Sequence, residues 1–192
     1  LDLESLLGLV ISDANLLGRW LRILDIPVDI NLLSSKFSQL TPEELKSVSE
    51  AQIWAVSPSA NSARLSLEQW LSVLRSAICA EIMHSHLVPD MTTAERNNTR
   101  MRALLALSGV HLDGDPMLDE LNEFRGTRPD LLEDATLELR VFSVVDAIEV
   151  GQDVPRATQL LGLSPDVYQG LLAQVSQLVD AQVSEIGLSL DA

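Results

Sequence analysis

The sequence predicts an all-α fold, a bundle of many helices of moderate length. Three observations lead there. Apolar residues recur along most of the chain at the i, i+3, i+4, i+7 spacing of half-buried helices. Capping residues followed by proline, or by Glu or Gln three positions on, mark helix starts, and glycine or proline marks the ends. No alternating β-branched run bounded by turns reads as a strand.

The elements follow in order. Leu3, Leu6, Leu7, Val10 and Ile11 form the stripe of a first helix. A second covers Asn15–Leu24, with Leu16, Leu17, Trp20, Leu21 and Leu24 inward, Asp13 as its cap and Pro27 as its terminator. Asp29–Leu40 is a short third helix. Thr41-Pro42-Glu43-Glu44 combines a capping hydroxyl, a proline at the first helical position and a capping-box Glu, and opens a helix to about Ala55. Ser57–Arg64, rich in Ser, Ala, Asn and Pro, is a loop. Ser66, with Gln69 at the capping-box position, opens a long helix over Leu67–Leu87, ended by Pro89. Thr92-Thr93-Ala94-Glu95 starts a helix that runs to Leu107. Asp113-Gly114-Asp115-Pro116 is a turn, Met117–Phe124 a short helix, and Gly126 and Pro129 punctuation. Leu131–Val150 is helical up to Gly151, a short helix from Asp153 and Pro155 stops at Gly162, and Ser164-Pro165-Asp166 caps a last helix running to about Ile186.

Composition bounds the function. The 192 residues suit one domain, with lobes over 1–56 and 65–192. A net charge of −15 repels phosphate backbones, which argues against non-specific nucleic-acid or anionic-membrane partners. A single cysteine, Cys79, rules out a disulfide framework and fits a cytoplasmic location. Aromatics are 4% against 46% apolar residues, so the core is built from Leu, Val, Ile and Ala. The start carries Asp2 and Glu4 and no basic stretch, unlike a signal peptide, and no uncharged apolar run reaches the roughly 18 residues of a membrane span. The chain begins without Met inside a helix and reads as a fragment of a longer protein.

Candidate chemistry is sparse. His84 and His86, two apart on a helix, point away from each other and read as helix-end histidines. His111 with Asp113 and Asp115 offers a nitrogen and oxygens, but in a capping turn. Cys79, between Ile78 and Ala80, is a buried structural thiol with Arg75 one turn back. Asp119, Glu120, Glu123, Glu133, Asp134 and Glu138 fall on polar helix faces, without the apolar pocket that would split a catalytic carboxylate pair. There is no Gly-rich phosphate loop, G-x-S-x-G elbow or H-E-x-x-H pair. Residues 157–173 have helix-turn-helix spacing about Gly162, but the second helix offers Asp166, Tyr168 and Gln169 and no Lys or Arg for DNA.

Three stretches together resemble the HDOD family, the non-catalytic relatives of HD-type metal phosphohydrolases in bacterial signalling. Leu3–Ile23, with Ile11-Ser12-Asp13-Ala14-Asn15-Leu16-Leu17, looks like the family's "I-S-x-D-P-x-L" opening, one residue shorter and without the proline. Arg75-Ser76-Ala77-Ile78-Cys79-Ala80 looks like its "H-S-x-x-x-A" helix, and Leu104-Leu105-Ala106-Leu107-Ser108-Gly109 like its "L-L-H-D-I-G" helix end. The stretch 139–190, with its Leu161-Gly162-Leu163-Ser164-Pro165 turn, is similar to the end of HDOD modules that precede a GGDEF diguanylate cyclase domain.

The resemblance implies a helical HDOD or HD-like bundle and a degenerate site. Arg75 stands in place of the first metal-binding His, and Ala106 and Leu107 in place of the His-Asp pair. It implies no cofactor, no catalysis by this domain, and a regulatory module that contacts a partner protein or an attached output domain, with a GGDEF domain as one candidate. The last helix is the expected lever. Its stripe of Val167, Leu171, Leu172, Val175, Leu178, Val179 and Val183 serves either as core or as the seam of a homodimer. Two other readings stand beside it: a metal-dependent phosphohydrolase of nucleotides, and a DNA-binding regulator using the Gly162 hairpin.

Overall fold

Helix starts are made where capping chemistry dictates. The computed structural model describes residues 3–47 and 66–185. Within them the helices are α1 (Leu3–Val10), α2 (Ala14–Leu24), α3 (Ile30–Gln39), α4 (helical over 42–47), α5 (Leu67–Leu87), α6 (Thr93–Leu107), α7 (Pro116–Glu123), α8 (Leu137–Glu149), α9 (Val154–Gln159) and α10 (Pro165–Glu185), with a 3-10 turn at Pro129–Leu131. The fold is all-α, and no strand occurs among the described residues. Asp13 and Asp29 cap α2 and α3, each accepting two backbone N–H groups. Ser66 with Gln69, and Thr92 with Glu95, close full capping boxes on α5 and α6. The loop expected over 57–64 and the continuation of α4 to residue 55 lie outside the described residues, as does residue 186 at the expected end of α10.

Several expectations are corrected. The second helix does end at Leu24, but the stop is made by Asp25 and not by Pro27: Asp25 takes the left-handed conformation (φ 52°, ψ 52°) and its N–H bonds back to Arg22 and Leu21. A short polar side chain tolerates that geometry. The helix expected over 131–150 starts late, at Leu137. Residues 129–131 form a tight turn, and Thr136 accepts the Leu139 N–H to start α8. Leu3, expected inward, is 38% exposed, and Val167, expected in the core or in a homodimer seam, is 37% exposed. Tyr168, which the helix-turn-helix alternative would present to DNA, is buried.

α5 is the axis of the bundle. It packs against α6, α8 and α10, and from residue 77 to 83 every side chain is buried. A helix apolar all round needs neighbours on every side. α2 and α7 pack on α6, while α1 touches α2, α3 and α10. Residues from Val10 to Val183 therefore share one hydrophobic cluster, so α1–α3 are joined to the helices beyond residue 66. Trp20 and Phe37 sit with ring centroids 4.6 Å apart and pin α2 to α3.

The α5 core carries a charge. Glu81 is 3% exposed, with Arg96 Nε at 3.3 Å and Arg100 Nε at 2.7 Å. These are ion pairs by distance, although neither N–H is aligned on the carboxylate as a hydrogen bond. Arg100 also donates to Asn97 and to the Gln182 side-chain oxygen on α10. The Gln182 amide nitrogen donates to Ser12 Oγ at 2.7 Å and to the Gly8 carbonyl at 3.3 Å. Trp70 Nε1 donates to the Ser12 carbonyl at 2.9 Å. A continuous polar strand thus links α5, α6, α10 and the α1–α2 corner.

α2 meets α6 closely because position 18 has no side chain. A Cβ at Gly18 would stand 2.8 Å from Val110 Cγ1. Alanine is normally the better helix former, but the β-branched Val110 has little rotamer freedom to yield. Gly18→Ala is expected to destabilise the fold by about 1–3 kcal/mol through overpacking. Urea unfolding checks this; a gain in stability would refute the close packing of α2 on α6.

Candidate functional site

The positions that the HDOD resemblance assigns to metal ligands lie on α5 and at the end of α6. Arg75 is exposed on α5, whereas Ala106 and Leu107 are 0% and 5% exposed. A methyl and an isobutyl group have no lone pair for a cation. α6 closes there in a Schellman turn: Gly109 has φ 68°, its N–H bonds to the Ala106 carbonyl, and the Val110 N–H bonds to Leu105. Only a residue free of Cβ strain adopts that conformation readily.

A guanidinium is held beside this helix end. Arg125 Nη1 donates to the Ala106 carbonyl at 3.0 Å, and Arg125 Nε lies 3.9 Å from Asp146 Oδ1 on α8. Asp146 is 8% exposed, and its second oxygen accepts the Gly126 N–H at 2.9 Å. Arg125 therefore neutralises a buried carboxylate and ties α6, the α7–α8 connection and α8 together. The three clefts described below are lined by other residues than Arg75, Ala106 and Leu107.

The expected lever, α10, lies with its stripe in the core. Leu171, Val175, Val179 and Val183 are each 5% exposed or less; Leu172 and Leu178 are half-buried; Val167 is exposed. Ser164 Oγ accepts the Val167 N–H at its start.

The remaining candidates resolve into structural roles. Asp115 accepts the Leu118 N–H as the cap of α7 and the Val28 N–H from the α2–α3 corner, which engages both its oxygens. Among the described residues no group of three His, Cys, Asp or Glu side chains is arranged to hold a metal ion. Glu138 departs from the expected solvated face: its carboxylate is 11% exposed and takes a bidentate pair from Arg102 at 2.8 and 3.1 Å. Cys79 is buried against Met83, and burial pushes its thiol up to about 12. His84 is half-buried, with Nδ1 3.2 Å from Thr99 Oγ1. Its burial outweighs the pull of Glu138 and Glu95 and, helped by Arg102, holds its pKa below the ordinary value.

Among the described residues, clefts open on the surface, three of them as follows. One of about 390 Å³ is lined by Arg128, Asp130, Asp153 and Arg156, and one of about 240 Å³ beside it shares Pro129 and Leu160 and adds Glu133 and Arg140. The third, about 550 Å³, is lined by Arg22, Asp25, His111 and Asp113. Each mixes both signs of charge, and Arg128 is already paired with Asp130.

The sequence reading passed over Glu81, Arg100, Gln182 and the Arg125–Asp146 pair. One signal was present: a lone acidic residue inside the apolar run Ala77-Ile78-Cys79-Ala80-Glu81-Ile82-Met83 marks a buried charge that needs a partner. In comparisons with known proteins, no family model, curated protein or solved structure matches this chain. Among the described residues no helix is long and apolar enough to cross a membrane.

Two measurements check this assignment. Thiol labelling of Cys79 in the folded protein is expected to proceed only at the rate of unfolding, since a buried thiol near 12 has almost no thiolate at neutral pH; fast labelling would contradict its burial. His84 resists protonation when folded but not when unfolded. Its contribution is therefore complete above the unfolded value of 6.5 and is lost as the pH falls through 6.5 toward the lower folded pKa. Urea midpoints measured between about pH 7 and 5 are expected to fall less steeply in His84→Gln than in the parent; equal slopes would remove His84 as the cause.

Proposed function

We propose that this chain is a non-catalytic regulatory module of HDOD type in bacterial signalling, which relays a signal by contact with a partner protein or an attached output domain. The observation that supports it most is the chemistry of three positions. Where hydrolytic HD proteins use His and Asp to hold the metals that activate water, this chain has Arg75, Ala106 and Leu107. Ala106 and Leu107 are buried, and the Ala106 carbonyl is bonded to the Arg125 guanidinium. A guanidinium repels the cation that this hydrolysis requires.

The relay part of the reading rests on α10. It follows the α9 hairpin, packs along α5 and reaches α1, so the last described helix touches the first. A module biases its neighbour only if two arrangements differ in free energy and a ligand or partner prefers one. A GGDEF diguanylate cyclase is the output domain that the resemblance suggests, and a cytoplasmic setting fits a module of this kind.

The test has two arms. The purified chain is expected to show no turnover of nucleotides or of bis-p-nitrophenyl phosphate with added Mn2+ or Fe2+. Turnover that rises with metal and is lost in Asp146→Asn would overturn the non-catalytic reading. A fusion of the chain through α10 to a diguanylate cyclase reporter is expected to change reporter output when two residues are inserted after Glu185, because this alters helical phase by about 200°. Output indifferent to every insertion would overturn the relay.

A further inference from the structure

The turn before α7 carries a pair of residues with chemistry of its own. Asp113-Gly114 is the one Asp-Gly pair of the sequence, which has no Asn-Gly pair. Both residues are exposed, and Gly114 has φ 87°. A Cβ at Gly114 would meet nothing within 4 Å, so the space around the pair is open. Among the described residues no acceptor bonds the Gly114 N–H, and the Asp113 carboxylate takes neither a hydrogen bond nor an ion pair. An aspartate carboxyl stands one methylene from the backbone, in reach of the next amide nitrogen, and a following glycine leaves that nitrogen unshielded by any Cβ.

Neighbouring aspartates lack this freedom. Asp25 is followed by Ile26, whose N–H is bonded to the Leu21 carbonyl at 3.1 Å. Asp134 is followed by Ala135, whose N–H is bonded to the Leu132 carbonyl at 3.1 Å. Asp115 precedes Pro116, which has no N–H. Its carboxylate is occupied as well, accepting the Leu118 N–H at 2.9 Å and the Val28 N–H at 3.3 Å.

We propose that Asp113 is a modification site: in the folded protein its carboxyl closes on the Gly114 nitrogen and reopens as isoaspartate, which loosens α7 from the α2–α3 corner. The step needs no co-reactant but water. The Gly114 nitrogen attacks Asp113 Cγ and a C–N bond forms. The amide proton and the hydroxyl of the carboxyl group leave together as one water. Water then reopens the five-membered imide. Breaking the new C–N bond restores aspartate. Breaking the bond from the nitrogen to the Asp113 main-chain carbonyl carbon leaves the chain running through Cβ and Cγ, with that carbonyl freed as a carboxyl group.

The isomer puts one extra carbon, about 1.5 Å of chain, between two anchors on the same corner. On one side Arg22 Nη2 of α2 donates to the His111 carbonyl. On the other, Asp115, 6% exposed, caps α7 and holds the Val28 N–H. Only Leu112, Asp113 and Gly114 lie between these anchors, and Leu112 is buried. The added length therefore falls on the Asp115 contacts. The inference rests on this turn alone, so its failure leaves the regulatory reading standing, and the reverse also holds.

Ageing the folded protein at mildly acid pH tests it. Isoaspartate is located by peptide mapping and by methylation of the freed carboxyl with an isoaspartyl methyltransferase. The yield at position 113 is expected to exceed that at any other described aspartate at least about tenfold, because exposed loop tips are where chemical change concentrates. Asp113→Glu, which would need a slower six-membered ring, is expected to abolish the signal. Asp113→Asn is expected to speed it, since the same imide then forms with loss of ammonia. No signal at 113 in the folded chain, whether or not the unfolded chain reacts, would overturn the proposal; so would a signal that survives in Asp113→Glu. In the isomerised fraction, hydrogen exchange at the Val28 and Leu118 amides is expected to quicken at least about fivefold as their acceptor is lost. Unchanged exchange at both would overturn the loosening of α7.

Discussion

The Glu81 carboxylate is the constraint around which the bundle is arranged. It stands in the segment of α5 that is buried on every side, where an unpaired charge is prohibitively costly. The chain must therefore deliver cations to that point, and α6 does so from Arg96 and Arg100, one turn apart on a single face. That requirement fixes how α6 lies on α5. The second guanidinium then has hydrogen-bonding capacity left over, which passes to α10 through Gln182 and on to the α1–α2 corner through Ser12. Hydrophobic burial supplies most of the driving force of such a fold, but it does not say which helix face meets which. The polar strand does.

The site reading and this strand meet on α5 and α6 without coinciding. Ala106, Leu107, Arg125 and Asp146 cluster where α6 ends against α8, whereas Glu81, Arg100 and Gln182 lie where α6 faces α10. The first cluster explains why the proposed function is non-catalytic: the side chains present are those of a sealed helix end. The second bears on how a helical module could transmit a change, since it holds α10, a 21-residue helix, by directional contacts.

Much of the fold was legible in the sequence because helix ends are local chemistry. Ser66 with Gln69, Thr92 with Glu95, and Asp13 and Asp29 made the caps expected of them. What failed was set by tertiary context. The end of α2 at Leu24 was expected, but its cause was assigned to Pro27 and not to the left-handed Asp25. The polar residues after Leu132 delayed the start of an expected longer helix to Leu137. Glu138 looked like a surface carboxylate because Arg102, its partner, lies 36 residues away on another helix. The positions that the resemblance assigns to metal ligands could be named from the sequence, but the guanidinium beside Ala106 could not, because Arg125 and Asp146 come together only when α7 folds against α8.

The Arg125 bridge has a further consequence. A positive charge that is part of the polypeptide arrives with translation and cannot be stripped by a chelator or displaced by a competing ion. The junction of α6 with α8 therefore carries its own counter-charge wherever the chain folds.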